Sequence, residues 1–191
     1  MDIKSSGFPA SPDGCNVNVI QYRNGEEIYR GEIMSITQQD VDNAQEAWAQ
    51  GVIAIGVSHQ NNQNYTELAK QFLQTAYSFD HPEQPLLFKP TRAAAVPFRD
   101  NLKGTLSYFI GGDTDFQEDK GFALEPWKTI SFDNTNIFYY DDIAIAMGHY
   151  TLTSMSGNTA TLEYSFGFVK DDNDEIKIFL HHSSVPFSEG A

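Results

Sequence analysis

The sequence is short of cysteine, of basic residues and of long apolar runs, and each shortage removes a class of protein. Cys15 is the only cysteine, so no intrachain disulfide can form and a zinc site built on several thiolates is excluded. It lies in a Gly-, Pro- and Ser-rich lead-in and reads as incidental. Lysine and arginine total 12 against 26 aspartates and glutamates, giving a net charge of −14. A protein that tracks a nucleic-acid backbone needs a basic surface, and an acidic membrane surface would repel this chain. No apolar run approaches the roughly 18 residues that a membrane helix needs. The first residues, MDIKSSGFPASPDG, lack the charged-then-apolar layout of a secretory signal. The expected setting is therefore cytoplasmic, without nucleic-acid or membrane partners. G-x-S-x-G, the P-loop and GxGxxG are also absent.

What is present suits one domain with a real core: 191 residues, 40% of them hydrophobic. Residues 1–34 read as a flexible lead-in, with a hairpin signalled by Asn24-Gly25 between two short alternating runs. The folded domain is expected over residues 35–191. Thr37-Gln-Gln-Asp40 has the form of a helix N-cap, and Val41, Ala44, Trp48, Val52 and Ile55 follow at helical spacing. A second helix should carry Tyr65, Leu68, Phe72 and Ala76, ended by His81-Pro82 and Pro85.

After residue 85 the period changes to two. Leu86–Phe88, Thr105–Ile110, Ile143–His149, Ala160–Phe168 and Ile176–Leu180 read as strands. Gly111-Gly112 then reads as a bend after a strand. Helices followed by an antiparallel meander give an α+β fold, with the N-terminal helices packed on one face of a curved antiparallel sheet. Such a cone has one open end, the default place for a small ligand.

His181-His182 invites a metal site, but adjacent strand residues point to opposite faces. His181 and Ser183 share one face with Phe179; His182 and Ser184 share the other with Ile178 and Leu180. The two histidines therefore cannot jointly bind one ion on a regular strand. Asp171-Asp-Asn-Asp-Glu175 fails as a calcium loop, because Ile176 takes the position where glycine is required. Asn64-Tyr-Thr66 matches a glycosylation sequon inside a predicted helix. Thr91, Tyr108 and Ser183 each sit near a predicted strand, and hydroxyls can both donate to and accept from a small oxyanion. The plainer reading is that these hydroxyls satisfy backbone groups.

The stretches FKPTRAAAVPFRD, TLSYFIGG, DFQEDKGFALEPW and FLHHSSVPF resemble the iota-class carbonic anhydrases, in particular their metal-independent cyanobacterial and algal branch. The resemblance covers most of residues 35–187. It implies an NTF2-like, cystatin-like fold shared with SnoaL-like proteins and the association domain of calmodulin-dependent kinase. It implies a lyase that hydrates CO2 reversibly to bicarbonate and a proton, with no metal and no cofactor, and a homodimer. Carried over residue by residue, it implies Thr91, Tyr108 and Ser183 as catalytic and bicarbonate-binding residues. His181, on the same strand face as Ser183, is expected as a supporting substrate contact and as a proton shuttle, because an ordinary imidazole titrates at about pH 6.5. Ser184 is the alternative to Ser183, and strand parity decides between them. The runner-up mechanism holds a divalent ion on histidines. The alternatives from other classes are an oligomerisation module and a SnoaL-like isomerase or cyclase, for which His149 is the candidate base on a predicted inward face.

Overall fold

The computed structural model describes residues 20–23, 26–29, 35–79, 85–171 and 173–189. Strands β1 (Ile20–Arg23) and β2 (Glu26–Tyr29) pair antiparallel on either side of Asn24-Gly25, as the turn signal predicts. The flexibility expected of residues 1–14 falls outside the described residues.

Helix α1 (Gln38–Gln60) starts at the expected cap. The Thr37 hydroxyl accepts from the Asp40 amide at 3.2 Å, and the Asp40 carboxylate accepts from the Thr37 amide at 2.8 Å. This reciprocal pair satisfies two otherwise free donors of the first turn. Val41, Trp48, Val52 and Ile55 are buried along one stripe. Each such side chain contributes about 1.5–3 kcal/mol by leaving water. Helix α2 (Tyr65–Ala76) is capped by Asn64, whose side chain accepts from the Glu67 amide at 3.3 Å. The sequon asparagine thus serves as a cap. Ala69 and Leu73 are the fully buried residues of α2. The helix ends at Ala76, ahead of the predicted proline stop, because Tyr77 turns extended and bridges Ile178.

Five of the described strands form one sheet in the order β3-β7-β6-β5-β4: β3 (Leu87–Lys89), β4 (Trp127–Tyr140), β5 (Ile143–Ser154), β6 (Thr159–Lys170) and β7 (Ile176–Ser184). The meander β4 to β7 is antiparallel, but β3 joins β7 in parallel, so the sheet is mixed rather than wholly antiparallel. The helices pack on one face, and one core of aromatic and aliphatic side chains fills the space between. Gln45 of α1 anchors the layers, donating to Asn134 of β4 at 2.9 Å and to Tyr164 of β6 at 3.0 Å.

Three expectations are corrected. Residues 105–110 are helical, within α3 (Leu102–Ile110), and not a strand. Asn101 caps it by accepting from the Gly104 amide at 2.9 Å, and Gly111 closes it at φ 67°, its amide donating to the Ser107 carbonyl at 2.7 Å. The left-handed conformation at that position favours glycine, so the Gly-Gly pair ends a helix. On β5 the inward residues are Ala144, Ala146, Tyr150 and Leu152, while Met147 and His149 are exposed. The expected parity of that strand is inverted. On β7 a bulge lets the pairing skip Phe179, so Ile178 is buried on the same side as His181 and not opposite it.

Candidate active site

Four hydroxyls from four elements meet beneath the helices. Thr91 lies in the turn after β3, Tyr108 on α3, Tyr150 on β5 and Ser183 on β7. The Thr91 hydroxyl donates to Ser183 Oγ at 2.8 Å. Tyr150 lies beside both, near enough for the Ser183 and Thr91 hydroxyls to act on its phenol. Tyr108 lies close to Tyr150 and to Arg92, whose charge and backbone act on its phenol. Ser183 is buried and Ser184 only half-buried, which settles the strand parity in favour of Ser183 facing the interior. The structure therefore brings together Thr91, Tyr108 and Ser183, and adds Tyr150. No residue pattern marked Tyr150 in advance, because the expected parity pointed it outward.

The walls are aromatic. Tyr108 stands edge-on to Phe88 at 5.6 Å and stacks on Phe122 at 5.8 Å. Burial therefore dominates the phenols' acidity. It pushes Tyr150 up to about 12, against hydrogen bonds from Ser183 and Thr91 that act in the opposite direction. It raises Tyr108 too, with the neighbouring Tyr150 adding to the effect and the Arg92 charge opposing it. Both phenols stay protonated at neutral pH, so both are hydrogen-bond donors and neither is a general base. Arg92 brings a positive charge near both; its own guanidinium is exposed and paired with Glu125.

His181 is buried on the same face of β7 as Ser183. Its Nδ1 is hydrogen-bonded to the Tyr77 hydroxyl at 2.8 Å. Desolvation, with His182 adding to it, holds its pKa well below 6.5. It is thus neutral and enclosed, a hydrogen-bonding group rather than the proton shuttle to solvent that the sequence suggested. His182 is exposed, and so is His149 on the outer face of the sheet. Among the described residues the histidines do not converge, and no three His, Cys, Asp or Glu side chains group as metal ligands. The donor set does not fit the ion-based runner-up. His149 also faces away from the core, which removes the candidate base of an isomerase or cyclase.

A network of charges holds the loop that carries Thr91. Glu118 accepts from the amides of Ala94, Ala95 and Val96 at 2.7, 2.9 and 2.9 Å, and these bonds pull its pKa down to about 2. Arg99, buried beside Phe116, pairs with Asp119 at 3.0 Å, and Asp119 accepts from Ser107 at 2.7 Å. Asp119 thereby ties the loop to the helix residue next to Tyr108. A cavity of about 260 Å3 adjoins this clasp, lined by Ala95, Val96 and residues 114–118. It holds none of the four hydroxyls.

The family described as metal-independent carbonic anhydrase matches residues 39–185. A metal-independent carbonic anhydrase from Nostoc sp. (strain PCC 7120) is 35% identical over 158 residues, which are 81% of this chain and 76% of that protein. The chain belongs to the metal-independent carbonic anhydrase family. A crystal structure of a cyanobacterial iota-carbonic anhydrase complexed with bicarbonate superposes with a TM-score of 0.78 at 35% identity, covering 81% of this chain and 95% of that one. An NTF2-like superfamily protein from Salmonella enterica aligns at a TM-score of 0.47 and 16% identity, over 80% of this chain and 93% of that one. The fold of this carbonic anhydrase family member is α+β, as the sequence implied, and it is the fold of the iota-carbonic anhydrase it superposes on. The family match spans α1 to the end of β7 and so includes every element that carries one of the four hydroxyls.

Proposed function

We propose that this chain catalyses the reversible hydration of CO2 to bicarbonate and a proton, using hydroxyls in place of a metal. Family membership supports the reaction, and the observation that carries the mechanism is the Thr91–Ser183 contact at 2.8 Å with the Tyr150 phenol beside it. CO2 is apolar and suits an aromatic wall. Bicarbonate is an oxyanion and needs donors. Tyr108 and Ser183 donate to the two oxygens on which negative charge grows as water attacks the carbon. Thr91 orients the attacking water. The water's second proton leaves along the hydroxyls toward bulk solvent, since a neutral, enclosed His181 does not collect it. His181 contacts the substrate instead. The nearby Arg92 charge favours the anionic product.

Residues 35–191 form the catalytic domain in this reading and residues 1–34 precede it. A cytoplasmic setting is part of the proposal, in keeping with a chain whose one cysteine can form no intrachain disulfide. A homodimer is also part of it. Phe138 is 61% exposed, Tyr140 53% and Met147 56% on the uncovered side of the sheet, a surface suited to a second copy. No helix among the described residues is long and apolar enough to cross a membrane.

The deciding experiment is stopped-flow CO2 hydration on exhaustively chelated protein, with Tyr108→Phe beside it. Activity should persist without metal, and the variant should lose roughly 100-fold in kcat, the typical cost of removing one preorganised donor. Loss of activity on chelation, or an unimpaired Tyr108→Phe enzyme, would overturn the hydroxyl mechanism.

A further inference from the structure

Below the hydroxyl cluster runs a second hydrogen-bond chain. The indole Nε1 of Trp48, on α1, donates to the Tyr77 hydroxyl at 2.9 Å. That hydroxyl meets His181 Nδ1 at 2.8 Å. All three side chains are almost wholly buried, at 1%, 1% and 2% exposure. Tyr77 is held beside β7 by its bridge to Ile178, and the next amide, of Ser78, donates to the Ile178 carbonyl at 3.0 Å. His181 Nε2, at the far end of the chain, has no hydrogen-bond partner among the described residues.

The direction of this chain follows from the donor inventory. An indole nitrogen only donates, and a phenol has one hydrogen to give. If Tyr77 gives its hydrogen to His181 Nδ1, the imidazole carries its own hydrogen on Nε2, and one buried group, Nε2–H, lacks a partner. If instead Nδ1–H donates to Tyr77, the phenol hydrogen has no acceptor and Nε2 has no donor, leaving two buried groups unsatisfied. Burial penalises each orphan, so the first arrangement prevails. The rings around His181 do not complete it. Phe166 and Phe88, with centroids at 4.3 and 4.6 Å, offer only ring faces, which accept weakly. Ser183 lies two residues along on the same face of β7, so His181 and the hydroxyl cluster face one interior.

We infer that Trp48 and Tyr77 are positioning residues of the reaction: their chain fixes His181 as the Nε2–H tautomer and turns it into a permanent donor to an oxygen of bicarbonate. This rests on the proposed function for the identity of the ligand. The chain itself rests on geometry alone. A neutral N–H suits an enzyme that must release its product, because it completes the oxygen's hydrogen bonds without adding the full charge of an imidazolium.

The test is long-range proton–nitrogen NMR on the uniformly 15N-labelled full-length protein, with sodium bicarbonate as the probe. In the wild type, His181 should show a protonated Nε2 and an acceptor Nδ1, unchanged between about pH 6 and about pH 8, where an ordinary histidine titrates. Bicarbonate should shift the Nε2 signal. Tyr77→Phe should mix the tautomers and lower kcat by roughly tenfold with a smaller change in KM, the scale of one misdirected hydrogen bond. A purely structural tyrosine would leave the tautomer alone. A wild-type His181 protonated on Nδ1, or an Nε2 signal that ignores bicarbonate, overturns the inference. So does a Tyr77→Phe protein with wild-type tautomer and kcat. Should that variant not fold, the wild-type tautomer and the bicarbonate titration decide. A protein that keeps the tautomer and answers to bicarbonate but does not hydrate CO2 sinks the proposed reaction and keeps the donor assignment.

Discussion

The sheet shows two surfaces built from the same strands. Toward the helices, β5 and β7 present Tyr150, Ile178, His181 and Ser183, all buried. Away from them stand Met147, His149, His182 and Ser184, beside Phe138 and Tyr140 of β4. Each surface has histidine and hydroxyl residues, so composition does not separate them. Desolvation does. On the inner surface hydroxyls bond to one another and histidine is held neutral. On the outer surface Ser184 makes only a long contact to Glu163 at 3.4 Å, and Thr151 and Thr161 face each other at 3.1 Å in an exposed pair. Water competes for such groups, and exposed polar contacts add little. Chemistry that depends on preorganised donors belongs on the inner surface, and the proposed association would use the outer one.

The adjacent serines break or sharpen this contrast most. Ser183→Ala should cost roughly 100-fold in kcat, as loss of a buried donor does, while Ser184→Ala should stay within about twofold. Stopped-flow hydration on both, with circular dichroism as the check on folding, reads the difference. Equal losses would mean that the strand carries no functional parity. Tyr150→Phe should come next. It removes one hydroxyl and leaves the ring that packs on Trp48 and Phe132, so a loss of roughly tenfold is expected without a change in fold. A wild-type rate would make Tyr150 a spectator to the Thr91–Ser183 pair.

The outer surface should respond in the opposite sense. Met147→Lys puts a charge within the exposed face that also carries Phe138 and Tyr140. It should turn the proposed dimer into a monomer in analytical ultracentrifugation while keeping hydration within roughly twofold of wild type. A dimer that survives this change is built on another surface.

How much of this was legible beforehand depended on whether local pattern and tertiary placement agreed. The helix cap at Thr37 and the stripe from Val41 to Ile55 were legible because cap and periodicity are local. Tyr164, Phe166 and Phe168 were legible because β6 is apolar on one face. β5 was not, since it is apolar on both: Ile143, Ile145 and Met147 outweigh the two alanines that in fact face the core. Gly148 was the available hint. A Cβ there would lie 2.0 Å from the Asp133 carbonyl oxygen, where β4 bulges toward it. Residues 105–110 were misread because Thr, Tyr, Phe and Ile favour strands. The cap at Asn101 and the glycine at 111 bracket a nine-residue helix that overrides that preference. Tyr77 and Tyr150 entered the site through a bridge and a strand parity that sequence spacing does not encode.

The smallest effect concerns how the inner surface is held. Glu118 gathers three amides of the loop after Thr91, and these bonds lower its pKa from 4.5 to about 2. A carboxylate with a depressed folded-state pKa contributes stability that is complete above the unfolded value. That contribution is lost as pH falls from about 4.5 toward about 2. Glu118 is partly open to solvent, with 19% of its side chain exposed, so screening keeps the contribution modest. Glu118→Gln should therefore be slightly less stable at neutral pH and should show a shallower loss of urea midpoint between about pH 5 and about pH 3. If the two proteins lose stability in parallel across that range, the amide cradle does not bind the carboxylate's charge. Position of Thr91 would then rest on the buried Arg99–Asp119 pair and its bond to Ser107, which link the loop to α3 without any exposed group.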